Sequence, residues 1–228
     1  MKIAEIFHSL QGEGRLTGTP SVFVRTSGCN LRCAWCDSPY TSWHPEGEIM
    51  AVEQIVAGVR SHECGHVVIT GGEPMIAPEI GELTGRLKAS GLHITIETAG
   101  TVFADVTCDL ASVSPKLSNS TPDARTHATA ARMHESRRIN LDVVQRFVDE
   151  FDHQLKFVIA NAADVQECER LLERLRGIRP ENVHLMPEGV DAAVLTERSA
   201  WLAKVCLDRG FRFCPRLHIM LFGNTRGT

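Results

Sequence analysis

One loop carries most of the chemical information in this chain: Gly28-Cys29-Asn30-Leu31-Arg32-Cys33-Ala34-Trp35-Cys36-Asp37. Its three cysteines follow the spacing C-x3-C-x2-C, and no fourth cysteine lies nearby. Iron–sulfur clusters are held by cysteine thiolates. Three thiolates can bind three irons of a [4Fe–4S] cluster and leave the fourth iron open to a small molecule. The loop therefore predicts an iron–sulfur site with an open coordination position.

Two other functions for these cysteines stay open on the sequence. A structural zinc ion takes four ligands, usually as two closely spaced pairs, and a second pair is missing here. His8, His44 and Asp37 offer further donors, but none lies at a zinc-finger spacing. A disulfide is the least favoured choice because the chain shows no secretory features. We prefer the cluster over zinc, and zinc over a disulfide.

The composition sets the broad class of protein. The chain has 228 residues, 43% of them hydrophobic, enough for a core in one large domain or two small ones. We predict a single domain over 1–228. The net charge of −4 gives no basic surface for nucleic acid, and no apolar run is long enough for a membrane span. Met1–Glu5 lack the apolar core of a signal peptide, so we expect a cytoplasmic protein with reduced cysteines.

Short apolar, β-branched runs alternate with helix-like segments along the chain. This alternation predicts a parallel sheet built from β-α-β units, and therefore an α/β fold. The predicted strands are Ser21–Thr26, His66–Thr70, Leu92–Glu97, Leu110–Ser114, Gln154–Ala160 and Asn182–Met186. The predicted helices are Val52–Ser61, Ile76–Ser90, Ile139–Glu150, Ala162–Gly177 and Asp191–Asp208.

Two segments depart from this alternation. Lys116–Arg138 is rich in Ser, Thr, Ala, Asp and Arg and has few large apolar residues, so we predict a flexible loop over 116–138. Phe211–Phe222 predicts one more strand with an irregular end.

Several predicted strands are followed by residues that could bind a ligand. Ser21–Thr26 runs directly into the cysteine loop, and Thr70-Gly71-Gly72-Glu73-Pro74 closes the next strand. Two further strands end in Glu97-Thr98-Ala99-Gly100-Thr101 and Ser114-Pro115-Lys116. In parallel α/β proteins, ligands bind at the carboxyl ends of the strands. A carboxylate, hydroxyls and an ammonium gathered there would suit a ligand with ribose hydroxyls, an amine and a carboxylate.

The cysteine spacing together with the Gly-Gly-Glu motif resembles the radical S-adenosylmethionine (SAM) superfamily. The resemblance implies a partial (β/α)6 TIM-like barrel, a [4Fe–4S] cluster on Cys29, Cys33 and Cys36, and SAM chelated to the free iron. Trp35, the aromatic residue before the last cysteine, would lie near the adenine. The motif Gly71-Gly72-Glu73 would contact the SAM amino group.

A second motif narrows this resemblance. Leu10-Gln11-Gly12-Glu13-Gly14 precedes the apolar strand that holds Arg25, four residues before Cys29. An arginine in that place suggests a bidentate partner such as a carboxylate. With Glu-Thr-x-Gly-Thr, Ser-Pro-Lys and Pro215-Arg216-Leu217-His218, these motifs resemble the 7-carboxy-7-deazaguanine synthase family over most of the chain. That family consists of radical SAM enzymes of queuosine-precursor (7-deazapurine) biosynthesis.

The resemblance implies roles for individual residues. The pterin substrate would be bound by Leu10, Gln11, Gly12, Arg25 and Thr70. The SAM site would be lined by Trp35, Cys36, Asp37, Gly72, Ser114, Pro115 and Lys116. Magnesium would be bound by the hydroxyl residue after Cys-Asp, often threonine in the family and here Ser38, with Thr41 as the alternative. Arg216 and His218 stay undecided between structural roles and closing the substrate pocket.

The implied reaction is that of a radical SAM lyase acting on 6-carboxy-5,6,7,8-tetrahydropterin. A reduced cluster would cleave SAM to methionine and a 5′-deoxyadenosyl radical, which would take a hydrogen from C6 of the pterin. Ring contraction and loss of ammonia would give 7-carboxy-7-deazaguanine, with SAM restored. The resemblance also implies Mg2+, a flavodoxin- or ferredoxin-type electron donor and a homodimer.

Two alternative functions stay open. An activating enzyme that forms a glycyl radical on a protein partner shares the cysteine spacing and the glycine motif, but it needs an open groove for a protein loop. A zinc-stabilised binding module without catalysis would use the same cysteines for structure alone.

Overall fold

The computed structural model describes residues 1–228 and contains one nine-stranded sheet. The strands are β1 (Lys2–Leu10), β2 (Pro20–Thr26), β3 (Glu48–Ile49), β4 (His66–Gly71), β5 (His93–Thr98), β6 (Leu110–Val113), β7 (His153–Ile159), β8 (Val183–Pro187) and β9 (Arg212–Phe213). The α-helices are α1 (Pro39–Ser42), α2 (Val52–Arg60), α3 (Ile80–Ala89), α4 (Ala124–Glu135), α5 (Leu141–Glu150), α6 (Ala162–Leu172), α7 (Ala192–Arg209) and α8 (Leu217–Phe222). None of these helices combines the length and the apolarity needed to cross a membrane.

The sheet is mostly parallel and open, with the order β3-β1-β2-β4-β5-β6-β7-β8-β9. β2 and β4 to β9 run in parallel, while β1 and β3 are added antiparallel at one edge. The six strands predicted from the sequence are β2 and β4 to β8, each within one residue of its predicted bounds. The predicted α/β class is therefore confirmed, and the sheet is consistent with a partial (β/α)6 barrel.

The parallel strands separate an apolar face from a polar face, because successive side chains of a strand point to opposite sides. On β2, Val24 is fully buried in the core, while the next residue, Arg25, lines a cavity. On β7, Phe157 lies in the core and Lys156 lines the same cavity. Helices cover the apolar face, where the fully buried side chains include Ile55, Ile69, Leu83, Leu87, Ile94, Ile96 and Phe147. The strands that build the core therefore also carry polar residues to the cavity.

The prediction of a loop over 116–138 is wrong, because helix α4 occupies most of that segment. Leu117, Ala131 and His134 are buried and anchor it to the rest of the chain. α4 packs through a small residue and a histidine rather than through a stripe of large apolar side chains. The apolar spacing that marks a surface helix in a sequence is therefore absent from this segment.

The two ends of the sheet also differ from the prediction. The strand predicted over Phe211–Phe222 is limited to β9, and α8 follows after Pro215. Proline has no N–H for a strand ladder and restricts the residue before it, so the pairing stops there. β1 was not predicted. It pairs antiparallel with β2 and places Leu10 opposite Pro20, the first residue of β2.

Three buried histidines have strongly lowered pKa values. Burial lowers the pKa of His66, of His134 and of His184 to about 4 in each case. The ring of His66 lies between two hydroxyls, with Ser21 Oγ 2.7 Å from Nδ1 and Thr95 Oγ1 2.9 Å from Nε2. His184 Nε2, by contrast, is buried without a hydrogen-bond partner.

We expect the free energy of unfolding to fall as the pH drops from about 6.5 to about 4. The unfolded chain takes up protons on these histidines near pH 6.5, whereas the folded chain does so only near pH 4. Acid in this interval therefore favours unfolding, and the contribution is fully present above about pH 6.5. Urea unfolding at several pH values measures the slope.

His184→Met is the control, because it removes a titrating ring that has no hydrogen bond to lose. If the three histidines contribute equally, this variant should reduce the slope by about one third. A wild-type stability that is independent of pH in this interval would contradict the expectation.

Candidate active site

A cavity of about 450 Å³ opens at the carboxyl ends of the parallel strands. Its walls come from the cysteine loop, from the strand ends and from the last residues of the chain. The predicted site residues that line it are Leu10, Gln11, Gly12, Arg25, Cys29, Cys33, Trp35, Cys36, Asp37, Ser38, Thr70, Gly72, Ser114 and Lys116. Pro115 is buried and does not line it. The structure thus brings together residues that the sequence spreads over more than 100 positions.

Two backbone turns lie against each other beneath the cysteine loop. Gly28 N donates to Thr41 O at 2.8 Å, and Gly28 O accepts from Glu73 N at 2.9 Å. Gly72 N donates to Thr26 O at 3.1 Å. A Cβ on Gly72 would lie 2.0 Å from Gly28 O, so the approach leaves no room for a side chain. Gly28 has φ of +116°, which favours glycine as well.

The segment that contains α4 supports the other side of the cysteine loop. Ala34 N donates to Ser120 O at 2.8 Å, and Arg32 N donates to His134 Nδ1 at 3.1 Å. Since Nδ1 accepts, the neutral ring carries its proton on Nε2 and donates it to Ser120 Oγ at 2.8 Å. Both backbone donors lie between cysteines of the loop, so α4 helps to set the positions of the thiols.

The three thiols of Cys29, Cys33 and Cys36 line one cavity. Burial raises the pKa of Cys29 to about 11 and that of Cys33 to about 12. No three Cys, His, Asp or Glu side chains lie close enough together to hold a single metal ion. One zinc ion, with Zn–S bonds of about 2.3 Å, would need its sulfurs within about 4 Å of each other. A four-iron cluster gives each thiolate its own iron, so it does not require the three sulfurs to surround one ion.

One corner of the cavity combines an aromatic ring, an ammonium and a hydroxyl. Trp35 Nε1 donates to Asn119 O at 3.0 Å, which fixes the ring. Lys116 Nζ lies 5.9 Å from the centroid of that ring and donates to Ser114 O and Oγ, both at 2.8 Å. An adenine can stack on the ring, and a carboxylate can bind the ammonium.

The carboxylate of Glu73 does not face the cavity. It is 1% exposed and accepts hydrogen bonds from Thr98 Oγ1 at 2.7 Å, Ala99 N at 2.8 Å and Met75 N at 3.1 Å. Burial raises the pKa of Glu73, and these three hydrogen bonds oppose the rise. The side chain joins the ends of β4 and β5, so the contact with the SAM amino group expected from the sequence is not available to it.

The residues expected to bind the pterin form two groups. Glu97 Oε2 accepts from Thr70 Oγ1 at 2.8 Å, and Glu97 Oε1 accepts from Gln11 Nε2 at 3.2 Å. Arg25 Nε donates to Glu5 Oε1 at 2.6 Å, while its two terminal nitrogens make no hydrogen bond within the chain. One group therefore offers a carboxylate and an amide, and the other offers a cation.

Five charged residues of alternating sign connect these parts in the order Asp37–Arg216–Glu13–Lys156–Glu97. Arg216 pairs with Asp37 and donates to Glu13 Oε1 at 3.1 Å. Lys156 pairs with Glu13, and its Nζ lies 3.9 Å from Glu97 Oε1. Burial would raise the pKa of Glu13, but the Lys156 and Arg216 charges outweigh burial and hold this pKa far below its usual range. We call this set the charge chain.

Sequence analysis left five functional side chains of this region outside the predicted site: Glu13, Glu97, Lys156, Arg216 and His218. Lys156 gave the clearest signal that was missed, since it is a single cation between apolar residues of a strand. His218 lines the cavity and packs on Gly12, where a Cβ would lie 2.0 Å from the ring Nδ1. Arg216 is buried and paired with Asp37 and Glu13, so it is not the surface residue that an arginine usually is.

Ser38 offers a hydroxyl oxygen to the cavity. Ser38 Oγ lies 3.3 Å from Asp37 Oδ1. Thr41 Oγ1 donates to Ser38 O at 2.8 Å and is therefore engaged within the loop. Magnesium takes oxygen ligands in near-octahedral geometry. Of the two hydroxyls considered for magnesium, that of Ser38 fits better.

Comparison with known proteins identifies the class. Residues 23–187 match the family model of the radical SAM superfamily, so the chain belongs to that superfamily, whose cofactors are a [4Fe–4S] cluster and SAM. The chain is also 47% identical to 7-carboxy-7-deazaguanine synthase of Halobacterium salinarum, over 100% of this chain and 93% of that protein. It is 46% identical to the Rhodopirellula baltica enzyme of the same name, over 99% and 88%. The particular family is therefore that of the 7-carboxy-7-deazaguanine synthases, radical SAM lyases of queuosine biosynthesis.

Solved structures agree with this family. The crystal structure of QueE from Escherichia coli is 26% identical, with a TM-score of 0.74 over 95% of this chain and 94% of that one. Streptococcus suis SuiB bound to S-adenosylmethionine is 13% identical, with a TM-score of 0.57 over 85% and 50%, and shares the fold alone. The two alternatives considered above, an activating enzyme and a zinc module, are left without support.

We expect Gly72→Ala to destabilise the fold by about 2 kcal/mol or more, because its Cβ would overlap Gly28 O. The same change should lower the amount of iron bound per chain, since the turn under Cys29 would shift. Gly85→Ala is the matched control: it lies within α3 and has no atom within 4 Å of the added Cβ.

The control should be neutral or stabilising by about 0.5–1 kcal/mol, the usual gain from replacing a helical glycine. Urea unfolding and iron analysis measure both variants. Equal stability of Gly72→Ala and Gly85→Ala would show that the two turns do not depend on this approach.

Proposed function

We propose that this enzyme converts 6-carboxy-5,6,7,8-tetrahydropterin to 7-carboxy-7-deazaguanine with loss of ammonia. The observation that carries the proposal is one cavity that holds the cluster cysteines, the terminal nitrogens of Arg25, which make no hydrogen bond within the chain, and the Gln11–Glu97 pair. Relatives that span the whole chain are named for the same product. Residues 1–228 act as a single radical SAM domain in this proposal.

Cys29, Cys33 and Cys36 would hold the cluster, and the corner of Trp35 and Lys116 would receive SAM. When bound, these cofactors supply the radical chemistry that removes a hydrogen from the substrate. The remaining SAM contacts are assigned to Asp37, Gly72 and Ser114, with Pro115 supporting the wall from its buried position.

The substrate would be oriented by groups that the fold has already placed. The Glu97 carboxylate would accept hydrogen bonds from the donor edge of the pterin ring. Gln11 and Thr70 donate to Glu97 and hold its carboxylate in place. The terminal nitrogens of Arg25 bind the substrate carboxylate, which matches an arginine's two parallel donors. Leu10 and Gly12 shape the wall between these groups. The Lys156 ammonium lies 3.9 Å from Glu97 Oε1 and helps to orient that carboxylate.

Magnesium would bind next to the substrate carboxylate through Ser38, with the substrate and water supplying further oxygens. Serine keeps the oxygen of the threonine often found there in the family, but it loses the methyl group that restricts the rotamer. In this place the ion would orient the carboxylate and act as a Lewis acid.

The electron donor, the oligomeric state and the cellular location are proposed from the membership in this family and from the cysteines. A flavodoxin- or ferredoxin-type protein would supply the electron that reduces the cluster. The enzyme would act as a homodimer in the cytoplasm, where its eight cysteines, all unpaired in the structure, would stay reduced. Neither nucleic acid nor membrane is a partner in this proposal.

Protein reconstituted anaerobically with iron and sulfide should form 7-carboxy-7-deazaguanine from SAM, a reductant and the pterin acid. Cys33→Ala should lose both SAM cleavage and visible cluster absorption. Cys64→Ala is the control and should keep both, because its thiol bonds to Pro20 O and does not line the cavity. SAM cleavage without the deazaguanine product would overturn the substrate assignment, and turnover by Cys33→Ala would remove the cluster from the mechanism.

Ser38→Ala should raise the Mg2+ concentration for half-maximal activity by at least about tenfold, because it removes a proposed ligand. Ser38→Thr should keep the wild-type response, since the oxygen is retained. Steady-state rates over a magnesium titration measure both variants. Identical curves for alanine and serine at this position would exclude Ser38 as a ligand.

A further inference from the structure

The last residues of the chain form part of the cavity wall. Asn224, Thr225, Arg226 and Thr228 line it together with Arg25 and Tyr40. Of the four residues 224, 225, 226 and 228, only Arg226 carries a charged side chain, and the proposed function gives it no role. Arg226 contacts Glu5, and Glu5 pairs with Arg25, the residue proposed to bind the substrate carboxylate.

Arg226 is held by three different kinds of contact. Its guanidinium carbon lies 4.2 Å from the ring centroid of Tyr40, a cation–π geometry. Arg226 Nη1 donates to Glu46 Oε2 at 3.0 Å, and Nη2 donates to Ala4 O at 3.3 Å. Its Nε lies 3.5 Å from Glu5 Oε2. Arg226 is thus fixed beside the second oxygen of a carboxylate whose first oxygen is already engaged.

Glu5 divides its two oxygens between different partners. Oε1 accepts from Arg25 Nε at 2.6 Å and from Tyr40 OH at 2.7 Å, while Oε2 is next to Arg226. Burial raises the pKa of Tyr40 to about 12, so its hydroxyl keeps its proton and donates. The Glu5 side chain is 13% exposed, so few water molecules compete for these oxygens.

If Arg226 did not contact Glu5 Oε2, the hydrogen bonding between Glu5 and Arg25 would change. Arginine and carboxylate groups favour two parallel hydrogen bonds when both oxygens are available. Glu5 Oε2 would then attract a terminal nitrogen of Arg25, and one of the two donors proposed for the substrate would be lost. In the wild-type chain, Arg226 forms an ion pair with that oxygen at 3.5 Å, and the hydrogen bond from Tyr40 OH holds the carboxylate in its present orientation.

We propose that Arg226 is a positioning residue: by occupying Glu5 Oε2, it keeps the terminal nitrogens of Arg25 free for the substrate carboxylate. The proposal rests on the proposed function, because it uses Arg25 as the substrate-binding cation. It adds a specificity role for a residue at the end of the chain, 201 positions from the side chain that it controls. Arg226 touches neither cofactor nor reacting atoms in this role.

Arg226→Ala should weaken binding of 6-carboxy-5,6,7,8-tetrahydropterin about tenfold, the usual effect of losing one charge-assisted hydrogen bond. The KM for this substrate should rise by a similar factor, with kcat within about twofold of wild type. Equilibrium dialysis of the reconstituted enzyme with SAM, but without reductant, measures binding in the absence of turnover. Arg212→Ala is the matched control, because Arg212 is exposed on β9 and makes no ion pair.

Glu5→Gln distinguishes this role from a merely structural one. An amide cannot form the charged, bidentate pair with Arg25, so the double variant Glu5→Gln/Arg226→Ala should bind the substrate more tightly than Arg226→Ala alone. Two independent structural losses would instead add, and the double variant would bind more weakly. That additive result would overturn the proposal, as would unchanged substrate binding by Arg226→Ala. Wild-type enzyme that cleaves SAM but neither binds nor converts the pterin acid would overturn the proposed function instead.

Discussion

The site depends on the close approach of two glycine turns at the carboxyl ends of β2 and β4. Gly72 lies so near Gly28 O that no side chain fits between them, and two backbone hydrogen bonds, Glu73 N to Gly28 O and Gly72 N to Thr26 O, join the turns. The cysteine loop begins on one turn, and the other turn holds Gly71 and Gly72, which line the cavity and belong to the wall proposed to bind SAM. Parallel pairing of β2 with β4 brings the two turns to one edge of the sheet. Without the contact between the two turns, the positions of the cysteine thiols relative to Gly71 and Gly72 would not be fixed.

The charge chain fixes the orientation of the charged side chains in and around the rest of the cavity. It runs from Asp37 in the cysteine loop to Glu97 at the end of β5, and every internal member pairs on both sides. Burying charges costs desolvation free energy that pairing only partly returns, so such pairs contribute little net stability. Their effect here is geometric, because Glu13 and Glu97 are oriented before a ligand arrives. An oriented site loses less entropy when it binds its ligand.

Local patterns predicted the six central strands and the three cysteines of the cluster loop, since strand periodicity and cysteine spacing are properties of short segments; the resemblance to the family predicted the other lining residues. Local patterns gave a wrong prediction where a helix is held by tertiary contacts and lacks a stripe of large apolar residues. α4 packs through His134 and Ala131, and its segment looked like a loop although it supports the cysteine loop. Glu73 belongs to a recognisable motif, yet its carboxylate is turned toward Thr98 and away from the cavity. A motif identifies which residues take part, but not the direction in which each side chain points.

The order of amino acids alone predicted the cluster ligands and the α/β class, because cysteine spacing and strand periodicity are properties of short segments, and the resemblance of its motifs indicated the family. Folding added the partners of the charged groups. Asp37 and Arg216 are 179 positions apart, and Glu13 and Arg216 are 203 apart. Nothing local relates such residues, since they come into contact only when the segment after β9 packs against the cysteine loop and the segment after β1. The pairing of charges is therefore a consequence of topology, whereas the cluster motif is a consequence of sequence.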